Sequence, residues 1–490
     1  MFLHDAEEFQ LTVENLKYKN CVNIKNILKF VLLTALPAVF AGCASTNPKA
    51  AFNDVGQTVN ARTGLSVQWP RNDSSSNEVA NAVAALLQTN LTAQSAAAIA
   101  LLNNRSLQAQ FEEIGISQAD LAQASRLQNP VVSGDWRFPN RPPSAADVQY
   151  TAAGNFLDLL TLPARKKIAA RNLEQTKLAV ADQVLELAAD AQTAFYQLQA
   201  QMQLTNRLGI IVAVNDAAAD FAQRQYDAGN ITDLALHDQQ ASAAQSHLDW
   251  MRARADTEAD RERLNRRLGL SGEQIHWAVT NELPQLPEAE LPLTNLESLA
   301  VSRRLDLAAA RAQAESFAAA LRLKEHTRWI PGLTVGVDTE RTPDGQRVTG
   351  PTLDLELPLF DQGQPAVARL AAEYRQARDS YEALKVNVCS QVRQSLDALL
   401  AARTEAEFSQ KNLLPLRQEI LGETLLHYNA MQASVYELLL SKEREQTAEE
   451  DSIDALRDYW LAHVALERAV GGRLGGVAPA KNSPPLKPRP

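Results

Sequence analysis

The sequence predicts a mainly helical chain with a small β part, built as two tandem repeats of one long-helix unit. Three observations carry this. A short amphipathic strand feeds directly into a long helical run twice, at GNFLDLLTLP (154–163) and at GPTLDLELPLFDQGQ (350–364). The runs that follow are unusually free of breakers: 164–228 holds no proline and a single glycine, Gly209, and no proline separates Pro365 from Pro415. Motifs also recur at a nearly constant offset. Tyr226-Asp227-Ala228 is echoed by Tyr428-Asn429-Ala430 (428 − 226 = 202) and Leu264-Asn265-Arg266 by Leu466-Glu467-Arg468 (466 − 264 = 202). Asn129-Pro130 is echoed by Ile330-Pro331 (331 − 130 = 201). Self-similarity at a fixed period is the signature of duplication.

Composition narrows the function classes. The formal net charge of −10 argues against nucleic acid as a partner. Cys21, Cys43 and Cys389 stand in no CxxC spacing, so neither a metal site nor a disulfide framework is read. The seven histidines and four methionines are scattered. His237 and His247 are ten apart and share no helix face well, and no cofactor is implied.

Residues 1–42 read as a secretory signal peptide. Lys25 and Lys29 give a basic start, 30–40 an apolar core, and Ala41-Gly42-Cys43 a small-residue cleavage site. The polar stretch 1–21 sits awkwardly ahead of it, so Val22 is the expected initiator. Small residues before a cysteine resemble a bacterial lipobox, which implies cleavage before Cys43 and lipid attachment to its thiol. Phe40 stands where leucine is usual. Ala44 after the cysteine implies, by resemblance to bacterial lipoproteins, the outer membrane. Residues 43–90 read as a lipidated N-terminal segment, polar and loop-like, with an Asn/Asp/Ser cluster at 72–77.

The first repeat spans 91–280. A helical run, 91–127, is stopped by Asn129-Pro130. Strands 131–138 and 148–160 form a hairpin around Pro139, Pro142 and Pro143. The long helix 164–228 would rise roughly 95–100 Å. Val184, Leu187, Ala191, Ala194, Leu198, Gln201, Thr205, Leu208 and Val212 step by alternating 3 and 4, and Ala188, Phe195, Met202 and Gly209 form a second row. Two seams mean a neighbour on each flank. Gly229-Asn230 breaks the helix, Thr232 caps the next, and Gly269 ends it. A proline-marked linker, 281–293, leads to the second repeat, 294–470. That repeat has helix 296–328, strands 333–341 and 347–359 around Pro343-Asp344-Gly345, and long helix 366–430, with seam Val367, Leu370, Tyr374, Ala377, Tyr381, Leu384 and Val388. Residues 471–490 read as a disordered tail.

The strands carry one apolar face and no helix in sequence to cover it. Leu353, Leu355, Leu357 and Leu359 alternate with Thr352, Asp354 and Glu356. In lipid an open four-stranded sheet would leave its edges unsatisfied, so several chains must pool strands. Three chains would supply twelve, within the range of outer-membrane barrels.

Several pieces together resemble the TolC family of outer-membrane efflux ducts, in the lipoprotein branch that serves three-part export pumps. They are the signal with Cys43, ALLNNRSLQ (100–108), the Asn129-Pro130 stop, GPTLDLELPLFDQGQ, RQYDAGNITDL (224–234) and HYNAMQASVYELL (427–439). The resemblance covers about residues 43–470. It implies a homotrimer, with a trimeric α-helical barrel across the periplasm and four strands per chain closing a twelve-stranded transmembrane β-barrel. It also implies a periplasmic adaptor and an inner-membrane pump of the RND type as partners, and outer-membrane lipid as surroundings. The adaptor-docking tips would be Tyr226, Gly229, Thr232 and Asp233 in the first repeat and Tyr428, Met431, Ser434 and Glu437 in the second. A glycine usually follows Tyr-x-x at both tips; the second tip has Met431, whose turn should differ or be strained.

Competing readings weigh against the sharper ones. Asp354 and Glu356 lack a histidine, nucleophile or phosphate loop, so a lumen-facing surface explains them better than catalysis. Asp216, Asp220 and Asp227 fit an acidic constriction or plain helix-surface charge. Arg165, Lys166 and Lys167 fit a membrane boundary or a solvated first turn. The leading function is a passive export channel. The alternative is a structural periplasmic coiled-coil lipoprotein spacing the outer membrane from the cell wall, against which the two hairpins count; no motif supports an enzyme. Mass spectrometry of the mature N-terminus should find a lipid-modified Cys43 as the first residue. An unmodified Cys43, or a chain that starts earlier, would refute the assignment.

Overall fold

The structure, a computed structural model, describes residues 46–141, 145–288 and 294–474. The expected signal peptide and the expected lipid site at Cys43 lie outside the described residues, as does 475–490; of the tail expected over 471–490, the first four residues are described and Leu474 is buried in a core.

In chain order the elements are α1 (Lys49–Thr63), α2 (Asp73–Leu87), α3 (Ala93–Asn103), α4 (Arg105–Ala124), β1 (Val131–Arg137), β2 (Asp147–Asn155), α5 (Phe156–Asp227), α6 (Asp233–Leu268), α7 (Leu296–Arg303), α8 (Leu305–Thr327), β3 (Leu333–Arg341), β4 (Arg347–Leu355), α9 (Gln364–Phe408), α10 (Leu414–Asn429) and α11 (Val435–Val470). A 3-10 turn, Gly272–Ile275, follows α6, and a π-helical turn, Ser409–Leu413, joins α9 to α10. The described chain forms two compact units. One gathers 116–170 and 318–370 with 46–48, the other 49–115, 171–317 and 371–474.

The first unit holds a four-stranded antiparallel sheet in the order β1-β2-β3-β4. Strands therefore pair in sequence order, and the two hairpins are joined through β2 and β3. At Gly336 a Cβ would lie 2.7 Å from the Ala152 carbonyl oxygen and 2.8 Å from the Ala153 Cβ. Glycine is needed there because the neighbouring strand comes too close for any side chain.

In the second unit the duplication appears as two equivalent cores. Phe195 and Leu198 of α5 pack with Ile99 of α3 and with Leu264 and Leu268 of α6. Val388, Val392 and Leu399 of α9 pack with Ala300 of α7 and with Leu466 and Val470 of α11. Leu264 and Leu466, and Leu268 and Val470, are each 202 apart (466 − 264; 470 − 268). Gly269 and Gly471 both cap their helices in the left-handed conformation, at φ 70° and 86°. Asp182 of α5 accepts a bidentate pair of hydrogen bonds from Arg468 of α11, at 2.9 and 3.0 Å, tying the first repeat to the second.

Several elements differ from the sequence reading, each for a physical reason. The strand expected over 148–160 ends at Asn155, whose side-chain oxygen accepts from the N–H groups of Leu157 and Asp158 and so caps α5. The helix thus begins at Phe156 and runs 72 residues, with Pro163 inside it. The strand expected to reach Leu359 stops at Leu355, because its partner β3 begins at Leu333, just after Pro331-Gly332. One further hydrogen bond, from the Glu356 N–H to the Gly332 carbonyl, continues the register for a single pair, and Glu356 itself lies just past the end of β4. The helical runs 91–127 and 296–328 each break once, at Asn104 and Arg304, where the backbone turns extended. The stretch 43–90, read as loop, carries α1 and α2; Asn72 of its polar cluster caps α2 in a reciprocal box with Ser75. The second long helix is not continuous: Pro415 has no N–H to give, and the ladder widens into the π-helical turn just before it.

Gly336→Val should destabilise the sheet by about 1–3 kcal/mol through overpacking, while Gly350→Val, which meets nothing within 4 Å, should cost less. Thermal unfolding of the detergent-purified protein followed by circular dichroism compares the two. Equal melting points would show that the close approach at Gly336 carries no weight.

Candidate functional site: a two-faced sheet and two helical tips

The register sorts the strand residues onto two chemically distinct faces, since residues opposite one another share a face. One face carries Leu353 and Val335, then Pro351, Val337, Ala152 and Val132, then Tyr150 with Gly134, then Trp136 and Val148. These apolar side chains are uncovered: Leu353 is 69% exposed, and Val132, Val337 and Trp136 are all exposed. Trp136 and Tyr150 meet edge to face at 5.8 Å over Gly134. The opposite face carries Asp354, Thr334 and Asn155, then Thr352, then Ser133, Thr151 and Asp338, then Asp135, Gln149 and Glu340, interrupted by Val131 and Val348. Gln149 donates to Asp338 at 3.2 Å on this polar face. Asp354 therefore lies among hydroxyls and amides, with no nucleophile or histidine beside it. At the start of α5, Arg165 faces Asp158 at 3.7 Å, whereas Lys166 and Lys167 are exposed.

In the second unit the two interhelical turns are built alike. At the first, the Gly229 N–H donates to the Tyr226 carbonyl (2.8 Å) and the Asn230 N–H to the Gln225 carbonyl (2.9 Å). At the second, the Met431 N–H donates to Tyr428 (2.9 Å) and the Gln432 N–H to His427 (2.8 Å). Thr232 and Ser434 then cap α6 and α11, accepting from the N–H groups of Ala235 and Glu437. Positions 232 and 434 are again 202 apart (434 − 232).

Of the two outcomes the sequence allowed for Met431, strain is the one found. Its φ is 60°, close to the 74° of Gly229, so methionine occupies the backbone region that glycine serves in the first tip. Its side chain is 95% exposed, so no contact within the chain compensates. The flanking groups hold the turns. Hydrogen bonding to Asp233 pushes the Tyr226 phenol above its ordinary range. The Ser434 backbone N–H and hydroxyl, which both hydrogen-bond to Glu437, lower that carboxyl's pKa, and the Ser434 N–H donates to it at 2.7 Å.

The acids near the first tip are each engaged within the chain. Asp216 pairs with His247 at 3.0 Å, Asp220 with Arg224 at 2.8 Å, and Asp227 accepts from Gln223 at 2.9 Å. Sequence reasoning missed the His247 contact because it joins α5 to α6. Beside the tips, an apolar crease is lined by Phe221 and Ala222 of α5, Ile231, and Val435, Tyr436 and Leu439 of α11. Among the described residues no helix is long and apolar enough to cross a membrane, and no cluster of histidine, cysteine and carboxylate side chains could hold a metal ion.

No family model matches the chain. It is 22% identical over 393 residues to the cobalt-zinc-cadmium resistance protein CzcC of Cupriavidus metallidurans, covering 78% of this chain and 90% of that protein. The structure superposes on the Campylobacter jejuni CmeC outer membrane channel with a TM-score of 0.69 at 15% identity, over 78% of this chain and 85% of that one. It superposes on the open state of the Neisseria gonorrhoeae MtrE outer membrane channel with a TM-score of 0.62 at 16% identity, over 78% and 89%. The chain has the TolC-type outer-membrane channel fold. In this channel fold the two-faced sheet and the long helices are the parts that the sequence resemblance anticipated.

Met431→Gly should raise stability by about 1 kcal/mol, the cost of a left-handed non-glycine residue, and Gly229→Ala should lower it by a similar amount. Hydrogen exchange at the first amides of α11 and α6 reports each turn separately. Unchanged protection in both variants would mean that the turns are not strained as described.

Proposed function

We propose that the chain is the outer-membrane channel of a tripartite efflux system, a passive duct that does no chemistry of its own. The observation that carries this is the sheet. One face is apolar and uncovered, the other polar, and both edge strands, β1 and β4, are left open. In a bilayer such a sheet is stable only if its edges are closed by other strands, and further copies of the chain supply them. Three copies close twelve strands, with the apolar face toward lipid and the face of Asp354, Asp338 and Glu340 toward the lumen. The helices support the same assembly. Helix α10 buries none of its residues although Leu416, Ile420, Leu425 and Leu426 are exposed on it, leaving apolar surface for a neighbouring subunit.

The remaining assignments follow from this one. In this reading the strands lie in the outer membrane and the turns at Tyr226–Asp233 and Tyr428–Glu437 lie in the periplasm. A periplasmic adaptor docks there on Gly229, Thr232, Met431 and Ser434, and an inner-membrane pump of the RND type hands over the cargo. Asp216, Asp220 and Asp227 form the acidic constriction near this end, and the lipid on Cys43 is a second anchor. The relative named for cobalt, zinc and cadmium resistance supports heavy-metal cations as the cargo class. A periplasmic spacer would have no use for two amphipathic hairpins.

Purified protein should run as a trimer in mild detergent and conduct ions in a planar bilayer. Gly229→Val and Met431→Asp should leave both properties intact and reduce export in cells that carry the pump and adaptor. A monomer with intact secondary structure, or a trimer without conductance, would refute the channel. Conducting variants that export at the wild-type rate would refute docking at the tips.

A further inference from the structure

On the apolar face of the sheet charge appears only at the hairpin end, away from the start of α5. Arg341 and Arg347 are directly opposed in the register of β3 and β4. They lie on the apolar face, in the same row as Trp136 and Val148 and one row beyond Tyr150, Thr339 and Thr349. Both are exposed. Like charges directly opposed across two strands repel and destabilise the pair, so this arrangement calls for an anion. The sheet does not provide one. The acids of the adjoining row, Asp135 and Glu340, point to the opposite face, and Asp344 in the turn is hydrogen-bonded to Thr342. Neither guanidinium has an ion-pair or hydrogen-bond partner among the described residues. The threonine hydroxyls in the next row are bonded to each other at 2.9 Å, leaving the arginines as the open donors.

We propose that Arg341 and Arg347 form a phosphate clamp for the phosphorylated glycolipid of the outer leaflet. The proposal rests on the channel reading, which turns this face to lipid and places the hairpin ends at the outer surface. Three features then agree. Tryptophan and tyrosine of transmembrane barrels gather at the headgroup level, and Trp136 and Tyr150 mark that level here. Arginine at the bilayer midplane would be costly, whereas at the interface it is not. Two guanidinium forks on opposed residues present paired N–H donors that match the oxygens of a phosphomonoester better than a single charge would. A phosphate seated between them removes the repulsion of the pair. The trimer would carry three such clamps around its rim.

The test uses the full-length protein purified in detergent and bisphosphorylated lipid A as the probe, with binding followed by native mass spectrometry. The wild type should retain lipid A. The double variant Arg341→Gln, Arg347→Gln should lose affinity about tenfold or more, and Arg347→Gln alone should lose part of it. Glu340→Gln, one residue away on the opposite face, should bind as the wild type does. An unchanged affinity in the double variant overturns the clamp. Equal binding of phosphatidylglycerol would show a general anionic surface, and displacement by millimolar inorganic phosphate a free-anion site; either result overturns the assignment to the glycolipid. Conductance separates this proposal from the one it rests on. A conducting double variant with unchanged lipid affinity removes the clamp alone, while a wild type that neither trimerises nor conducts removes the channel.

Discussion

Backbone hydrogen bonding at the edges of one small sheet is the constraint on which the rest depends. Four strands pair in sequence order, and among the described residues no further strand pairs with the outer edges of β1 and β4, which leaves a row of N–H and C=O groups on each. Water would satisfy those groups, and hydrocarbon would not; each one stranded in lipid costs several kcal/mol. A sheet with an uncovered apolar face cannot remain in water cheaply either. In the proposed channel, a bilayer in which other copies complete the ring satisfies both demands at once. The long helices would then inherit their symmetry from the strands, and that symmetry gives the apolar surface left on α10 a place to be buried.

The duplication acts through the same constraint. Each repeat contributes one hairpin, one long helical run and one turn, so in the proposed ring equivalent helices would stand around a common axis. Equivalence is close where packing dictates it. Leu264 and Leu466, Thr232 and Ser434, and Gly269 and Gly471 occupy matched places because a core, an N-cap and a left-handed C-cap each admit few residue types. It relaxes where packing is absent. The first long helix runs unbroken for 72 residues, whereas the second accommodates Pro415 through a π-helical turn.

This also explains what could be read from the sequence. Alternation in TLDL, the caps at Thr232 and Gly269, and the 202-residue offset are local signals, and each element they announced is present. The breaks at Asn104 and Arg304 were not readable, because no proline or glycine marks them. They depend on distant partners: Asn104 donates to the Arg267 carbonyl at 2.9 Å, and Arg304 donates to Gln391 at 2.7 Å. Helix α1 was missed for a similar reason. Its run is too polar to signal a helix, yet Phe52 meets Phe111 of α4 edge to face, and Val55 and Val59 are fully buried. The end of β4 depended on where β3 begins, which alternation in LELPLF cannot reveal. The site was legible in part: the faces of the sheet followed from period two, but the opposition of Arg341 and Arg347 needed the register of the hairpin.

Met431 and the arginine pair raise one physical question, since both are local arrangements that cost free energy within the chain. A left-handed methionine sits about 1–2 kcal/mol above a glycine in the same turn, and two opposed arginines repel. Neither cost is offset among the described residues, for the methionine is almost wholly exposed and the guanidiniums have no acceptor there. Strain that persists without internal compensation points to an interaction made outside the chain. The two features differ in the kind of partner they fit. An apolar thioether at the tip of a turn suits a protein surface with an apolar socket. Paired cations on an apolar sheet face, level with Trp136 and Tyr150, suit an anionic headgroup at a membrane boundary. The chain thus carries one such feature on its sheet and another on its helical turns, each suited to a partner of different chemistry.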